Sequence, residues 1–354
     1  MLSFISCKRQ GDVQANKPVI NPKATGKLVS YLPSSIWLIY QDQKDNYWFG
    51  SNGNGVYIFD GKELRNYTTN DGLVDNTIRG VQEDHLGNIL LETPEGVCKY
   101  DGISFLTLNT ISSSTNEWKL DDSDLWFRCN GNAEDVYRYD GQYLYELKLP
   151  RKDLSEGFGK YVRGLSFEGM SKSPYSIFGI NKDEVGNIWF GTVTAGAFRY
   201  DGDSFLWVAE DELTELPDGR VPGVRSILED KNGFIWLSNF ISKYRINESE
   251  LIDSYTKLPA IEVSKGELKE RLPYFNSGLR DNNGDLWMTT YTGGVWKYDG
   301  GSKLQNYQIS NGEIEVLIIS IYQDNHGTLW LGTDNAGVYK FTGEKFEKFD
   351  ILEN

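Results

Sequence analysis

The stretch Asp183-Glu-Val-Gly-Asn-Ile-Trp-Phe-Gly-Thr-Val-Thr-Ala-Gly-Ala-Phe-Arg-Tyr-Asp-Gly202 decides the fold. It reads as an Asp-x-x-Gly turn, a short apolar strand around Trp189, a small-residue loop, a second strand with alternating aromatics, and a closing Tyr-Asp-Gly turn. The same order returns at Asp42 to Gly61, Asp281 to Gly300 and Asp324 to Gly343, and more loosely at three other places. A supersecondary unit repeated every few tens of residues marks a solenoid or a propeller.

Working outward, seven copies align on one apolar residue: Trp48, Leu90, Trp126, Trp189, Trp236, Trp287 and Trp330. Six residues upstream stands Asp42, Asp84, Asp183, Asp230, Asp281 or Asp324. Three residues upstream stands Gly87, Gly186, Gly233, Gly284 or Gly327, with Asp45 substituting in the first copy. The third copy has a shorter turn around Asp121 to Asp124. An Asp side chain holds the amides of such a turn, and Gly supplies the positive φ. Before the turns lie first strands such as Ile36 to Tyr40, Ile177 to Ile180 and Ile318 to Ile321. One face of these strands carries Val81, Ile180, Ile227, Leu279 and Ile321; the other carries Gly80, Gly179, Ser226, Gly278 and Ser320. Blades that converge on an axis leave the innermost strand room for bulk on one face only.

Third strands alternate cleanly, as in Ala197 to Tyr200 and Val338 to Phe341, and Asp-Gly turns lead on to fourth strands such as Glu63 to Tyr67. Four short antiparallel strands in each of seven units of about 47 residues predict an all-β, seven-bladed β-propeller. Residues 27–354 form it, and ring closure removes the exposed edges of a linear array. Lys27 to Tyr31 reads as a further fourth strand that would complete the last blade and latch the ring. The last blade has its own at Phe346 to Phe349, so one strand is surplus.

The 354 residues include 10 Trp and 21 Tyr, which suits many short strands. A net charge of -15 argues against a nucleic-acid partner. No run of apolar residues is long enough for a membrane-spanning helix. Residues 1–26 read differently: Met1 to Cys7 is similar to the tail of a bacterial lipoprotein signal, with Cys7 as the lipidated residue and a polar tether behind it. The basic segment and longer apolar stretch of a complete signal are missing, so the start reads as a truncated one. Cys98 and Cys129 fall on strands away from any histidine and read as buried thiols.

The pattern Asp-x-x-Gly-x-Ile-Trp-Phe-Gly-Thr followed by Gly-Val-x-Lys-Tyr-Asp-Gly resembles the two-component regulator propeller repeat over nearly all the chain after residue 26. In that family the propeller is the periplasmic sensor half of hybrid histidine kinases, and the resemblance implies a ligand-binding or protein-binding propeller. This chain shows no membrane span, kinase or DNA-binding segment of its own. A more distant resemblance is to streptogramin B lyases, whose elimination is histidine-assisted and magnesium-dependent. Here the only histidines, His85 and His326, lie inside Asp-x-x-Gly turns, on the face opposite the usual site, so that chemistry is not carried over.

Antiparallel connectivity places the second connection of each blade and the link to the next blade on one face. The long links, 150–173, 209–222 and 257–274, therefore rise together, and insertions gathered on one face mark a binding face. Ser264 to Glu267 reads as a capping box within the last of them. The same face gathers Asn52, Asn54, Glu95, Thr192, Asn239, Tyr291, Thr292, Asp334 and Asn335, with Arg79 and Arg225 at the starts of two inner strands. Phe158, Tyr161, Phe167 and Tyr274 offer flat surfaces for a sugar, or else pack the links. The basic residues Lys99, Arg138, Arg199, Arg245, Lys297 and Lys340 recur on third strands, where each can neutralise a turn Asp. No EF-hand spacing, zinc-ligand set or Ser-His-Asp arrangement is present, so neither metal nor cofactor is assigned.

The reading is a non-enzymatic propeller in the periplasm or on the cell surface, possessing a lipid anchor if Cys7 is acylated. It binds a glycan, another small ligand or a protein partner over the loop-bearing face. The alternatives are a carbohydrate-active lyase or hydrolase using the same face, with paired carboxylates, and a protein-binding scaffold.

Overall fold

The turn carboxylate organises each unit. Asp324 accepts the backbone N–H groups of His326 (3.0 Å) and Thr328 (2.8 Å) on one oxygen and the indole N–H of Trp330 (2.8 Å) on the other. The indole bond recurs between Asp42 and Trp48 (2.9 Å), Asp183 and Trp189 (3.0 Å), Asp230 and Trp236 (3.0 Å), and Asp281 and Trp287 (2.8 Å). The six-residue spacing thus has a second cause besides the turn: it is the reach from carboxylate to indole on the next strand. Asp45 adopts φ 64° where five of the other copies use glycine, for example φ 84° at Gly327.

The computed structural model describes residues 23–112, 118–128, 134–154, 166–167, 170–171, 173–213, 221, 223–249, 253–261, 274–301, 304–312 and 314–351. Among these, the only helical pieces are the 3-10 turns Thr69–Asp71 and Asp211–Leu213. Antiparallel blades of four strands occupy 36–67, 80–107, 177–208, 227–259, 277–307 and 318–348 (blades 1, 2, 4, 5, 6 and 7). Blade 3 lies at 125–148. Buried apolar side chains gather between neighbouring blades all the way round: Trp48 with Leu91, Trp189 with Ile235, and Trp330 with Phe49. The sheets are consistent with seven blades in a closed ring.

Blades 1 and 7 close that ring. Ile36 bridges to Thr333, merging the two blades into one sheet. Ser35 and Trp37 donate side-chain hydrogen bonds to Asp334 (2.8 and 2.7 Å), and Tyr47 donates to Asp324 (2.8 Å). The surplus strand does not complete the last blade. Lys27–Val29 pairs with Leu64–Tyr67 as a fifth strand of blade 1, while Phe346–Lys348 is the fourth strand of blade 7. The cause is local: Ala24 N–H bonds to the Ile103 carbonyl (2.8 Å) and Gly26 N–H to Asp71 (3.1 Å), tying this segment to blades 1 and 2.

The small faces of the inner strands behave as expected. A Cβ placed on Gly179 would fall 2.5 Å from the Arg225 carbonyl oxygen, so backbone of blade 5 packs directly on blade 4.

Blade 3 departs from the plan. Leu125–Phe127, Asp135–Tyr139 and Leu144–Lys148 pair antiparallel, and Thr110–Ser112 lies outside them in parallel. Among the described residues no strand lies inside Leu125–Phe127. Side chains satisfy that inner edge instead. Gln82 donates to the Trp126 carbonyl (2.8 Å), and Glu92 accepts from the Arg128 amide (3.4 Å) and from its Nε (2.9 Å). The rest of the Arg128 guanidinium reaches the Phe178 carbonyl and the Arg79 carbonyl (3.3 Å), bridging blade 2 to blade 4. Buried backbone groups demand partners, and here side chains supply what a strand supplies elsewhere.

Candidate functional site

The inner strands surround an axial cavity of about 610 Å³, within the usual ~300–1,000 Å³ of small-molecule sites. Its wall carries Trp37 of blade 1, Arg79, Gln82 and Glu92 of blade 2, Trp126 and Arg128 of blade 3, Phe178 and Asn181 of blade 4, Arg225 of blade 5, and Asn276 and Tyr291 of blade 6. The starts of inner strands bond to the second connection of the preceding blade, as Ile78 N–H to Ser51 O (2.9 Å), Val224 to Thr192 (2.8 Å) and Ile318 to Tyr291 (2.8 Å). The described starts of the inner strands and the second connections therefore share one end of the ring. Most of the three long links, with the Ser264 capping box, Phe158 and Tyr161, lies outside the described residues.

Of the expected site residues, Arg79, Arg225 and Tyr291 line the cavity. Arg225 is held with its guanidinium 4.0 Å from the centre of the Phe178 ring, and Tyr274 meets Tyr291 edge-on at 6.3 Å. Asn52, Asn54 and Glu95 are exposed on the second connections, away from the cavity wall. Thr192 is fully buried and donates to the Gly196 carbonyl (2.7 Å), which makes it part of its own turn. Asn239 likewise accepts from the amides of Ile241 (2.9 Å) and Ser242 (2.8 Å). Asp334 accepts from Ser35 and Trp37 at the ring closure; burial alone would raise its carboxyl, but these bonds and one from Asn52 hold it below the usual range. Asn335 bonds the Leu317 amide (3.0 Å).

Sequence reasoning missed Glu92, Arg128 and Trp37. The sequence marks only blade 3 as irregular: position 120, where the repeat wants Asp, is Leu, and in the structure the buried Trp126 indole has no hydrogen-bond partner. Elsewhere the third-strand bases meet their turn carboxylates, as Arg138 with Asp124 (2.9 Å), Arg199 with Asp183 (3.5 Å) and Lys99 with Asp84 (3.6 Å). In blade 5 the equivalent residue is Lys243, which pairs across from Trp236 and sits 4.0 Å from Asp230; Arg245 lies further along the strand, against Phe234. Lys340 lies over the Trp330 ring. Cys98 is buried and its thiol is pushed up to about 11 by burial; Cys7 and Cys129 lie outside the described residues. His85 and His326 are exposed in their turns, off the cavity wall. Among the described residues no cluster of three His, Cys, Asp or Glu is placed to hold a metal, and no helix is long and apolar enough to cross a membrane.

Residues 312–335 match the two component regulator propeller family model. That match covers one repeat, around Asp324 and Trp330. The fold is similar to a streptogramin B lyase structure (13% identity, 90% of this chain and 95% of that one, TM-score 0.58). It is also similar to virginiamycin B lyase from Staphylococcus aureus (14% identity, 89% and 98%, TM-score 0.59). A third likeness is to the extracellular domain described as that of the hybrid two component system BT4673 from B. thetaiotaomicron (20% identity, 89% of this chain, TM-score 0.54). This chain spans 39% of the length of that domain. These likenesses establish the β-propeller fold. No curated protein matches the sequence.

Proposed function

We propose that the chain is a non-enzymatic, sensor-type propeller that binds a glycan or similar polar small ligand at the axial cavity. The observation that carries this reading is the convergence of Arg79, Arg225 and Tyr291 with Trp37 on one cavity wall. Flat aromatic faces beside fixed hydrogen-bond donors are what sugar recognition needs. The repeat matched at 312–335 and the likeness to an extracellular two component domain support the sensor role and a periplasmic or cell-surface location. Residues 1–26, with Cys7 as the acylated residue, would tether the propeller of residues 27–354. The histidines stand off the cavity wall, which favours binding over elimination.

An oligosaccharide panel tests this, read by melting temperature and by chromatography of the sugars afterwards. The expected result is ligand-induced stabilisation with the sugar recovered intact. Product formation would instead establish the lyase or hydrolase reading. If no saccharide binds while a protein partner is captured at the rim, the scaffold reading replaces it.

A further inference from the structure

We infer that Trp37 is the platform of the axial cavity, taking the flat face of a ligand ring, and that Asp334 of blade 7 is the positioning residue that holds it there. This deepens the proposed function and rests on it for a ligand at the axis; the platform itself rests on strand pairing. In blade 1 Ile36 pairs with Ser51 but Leu38 with Gly50, so Trp37 is the extra residue of a β-bulge. Phe178 and Ile319 are the extra residues at the same place in blades 4 and 7. All three line the cavity. A bulge re-aims a side chain, and bulges gather beside functional sites for that reason. Each of these bulges lies across from a glycine, Gly50, Gly191 or Gly332. Blades 2 and 6 carry Glu92 and Thr289 at that position and pair without a skip. A Cβ on Gly332 would fall 2.7 Å from the Trp37 carbonyl oxygen, so the backbone under Trp37 needs that glycine.

The three bulged residues are not equivalent. Ile319 has no flat face, and the Phe178 ring carries the Arg225 guanidinium at 4.0 Å. Trp37 has the largest ring of the three and is half-buried. Its indole has a single donor, which goes to Asp334 at 2.7 Å, so what the side chain offers a ligand is its ring. Asp334 is itself fixed. The same carboxylate oxygen accepts from Ser35 (2.8 Å), and the Asp334 amide bonds the Leu317 carbonyl (2.9 Å). Asn335 beside it bonds the Leu317 amide (3.0 Å) and the Glu315 carbonyl (2.8 Å). A braced carboxylate therefore sets the tilt of an indole on the cavity wall. Such a surface suits the C–H face of a pyranose or an aromatic ring.

The test compares wild type with Trp37→Ala, Trp37→Phe, Asp334→Ala and Asp334→Asn, with melting temperature in ligand-free buffer as the folding control. Fluorine spectra of 5-fluorotryptophan-labelled protein follow the indoles, and the Trp37 resonance is the one missing from Trp37→Phe. Three probes are titrated: cellotriose for a sugar face, phenyl β-glucoside for an aromatic face, and sorbitol for hydroxyls without a ring. The expected result is that a ring probe shifts the Trp37 resonance saturably and sorbitol does not. Trp37→Ala and Asp334→Ala should each weaken that probe about tenfold, whereas Asp334→Asn, which keeps an acceptor oxygen, should recover most of the affinity. Trp37→Phe keeps a ring without its tether and should fall between wild type and Trp37→Ala, which tests the positioning even if Asp334→Ala fails to fold. A response to phenyl β-glucoside alone upholds the platform and replaces the saccharide with an aromatic group. A ring probe that binds equally well to wild type and Trp37→Ala overturns the platform and leaves the proposed function standing. Affinity unchanged in a folded Asp334→Ala overturns the positioning role. Sorbitol moving Trp37 as the ring probes do overturns the ring requirement. Neither ring probe moving Trp37 also overturns the platform, and the oligosaccharide panel then decides the proposed function by itself.

Discussion

Blades 7 and 3 solve the same packing problem in different ways. Blade 7 has four antiparallel strands, and Asp324 locks its turn to Trp330. Blade 3 lacks the inner strand among its described residues, and its indole has no carboxylate to meet. In blade 7 backbone satisfies backbone and the side chains are spent on packing. In blade 3 Gln82, Glu92 and Arg128 make side-chain hydrogen bonds with backbone groups. The comparison teaches that side chains from neighbouring blades can hydrogen-bond the backbone of a strand edge, a task that backbone alone performs in the regular blades.

Several changes would break or sharpen this contrast. Trp330→Ala should be the most damaging, costing about 3–5 kcal/mol by emptying the space between blades 7 and 1; urea denaturation measures it. Arg128→Ala should cost about 1.5–3 kcal/mol, because it strands the nearly buried Glu92 and two carbonyls. Loss of stability restored by the paired change Glu92→Gln would show that the stranded charge is the cause. A finer comparison is Trp330→Phe against Trp126→Phe. The first removes the indole donor of a buried Asp324 and should cost about 1–3 kcal/mol. The second removes a donor without a partner and should cost clearly less; matched thermal melts distinguish them.

The smallest effect concerns pH. Burial would raise the Asp324 carboxyl, but the Trp330 indole, the Thr328 and His326 amides and the Tyr47 hydroxyl together hold it below the ordinary range. A depressed carboxylate adds stability that is full above the unfolded value of about 3.9 and is lost as pH falls through the folded value. Asp324→Asn should therefore be less stable than wild type at neutral pH and lose less on acidification, as denaturation midpoints across the acid range would show.

Most of the ring was legible because its causes are local. The Asp183 turn, the glycine at 186 and the aromatics at 189 and 200 each act within a few residues, and their return in most of the seven copies makes the pattern plain. The indole–carboxylate bond was hidden in the spacing but follows from the same residues. Arg128 was not legible, because its three partners come from positions 79, 92 and 178 and meet only once the ring closes. Lys27–Val29 misled for a related reason: strand pattern tells that a segment pairs, whereas the bonds at Ala24 and Gly26 decide with which blade. Thr192 and Asn239 stand on the expected connections but serve their own turns, a distinction that only side-chain direction reveals.

The most direct measurement of the central claim is calorimetric titration of wild type and of the Arg79→Ala/Arg225→Ala double variant with whichever saccharide stabilises the protein. The account predicts that affinity falls about tenfold or more while the ligand-free melting temperature stays close to wild type. Equal affinity in the two proteins would place the ligand elsewhere on the ring and contradict it.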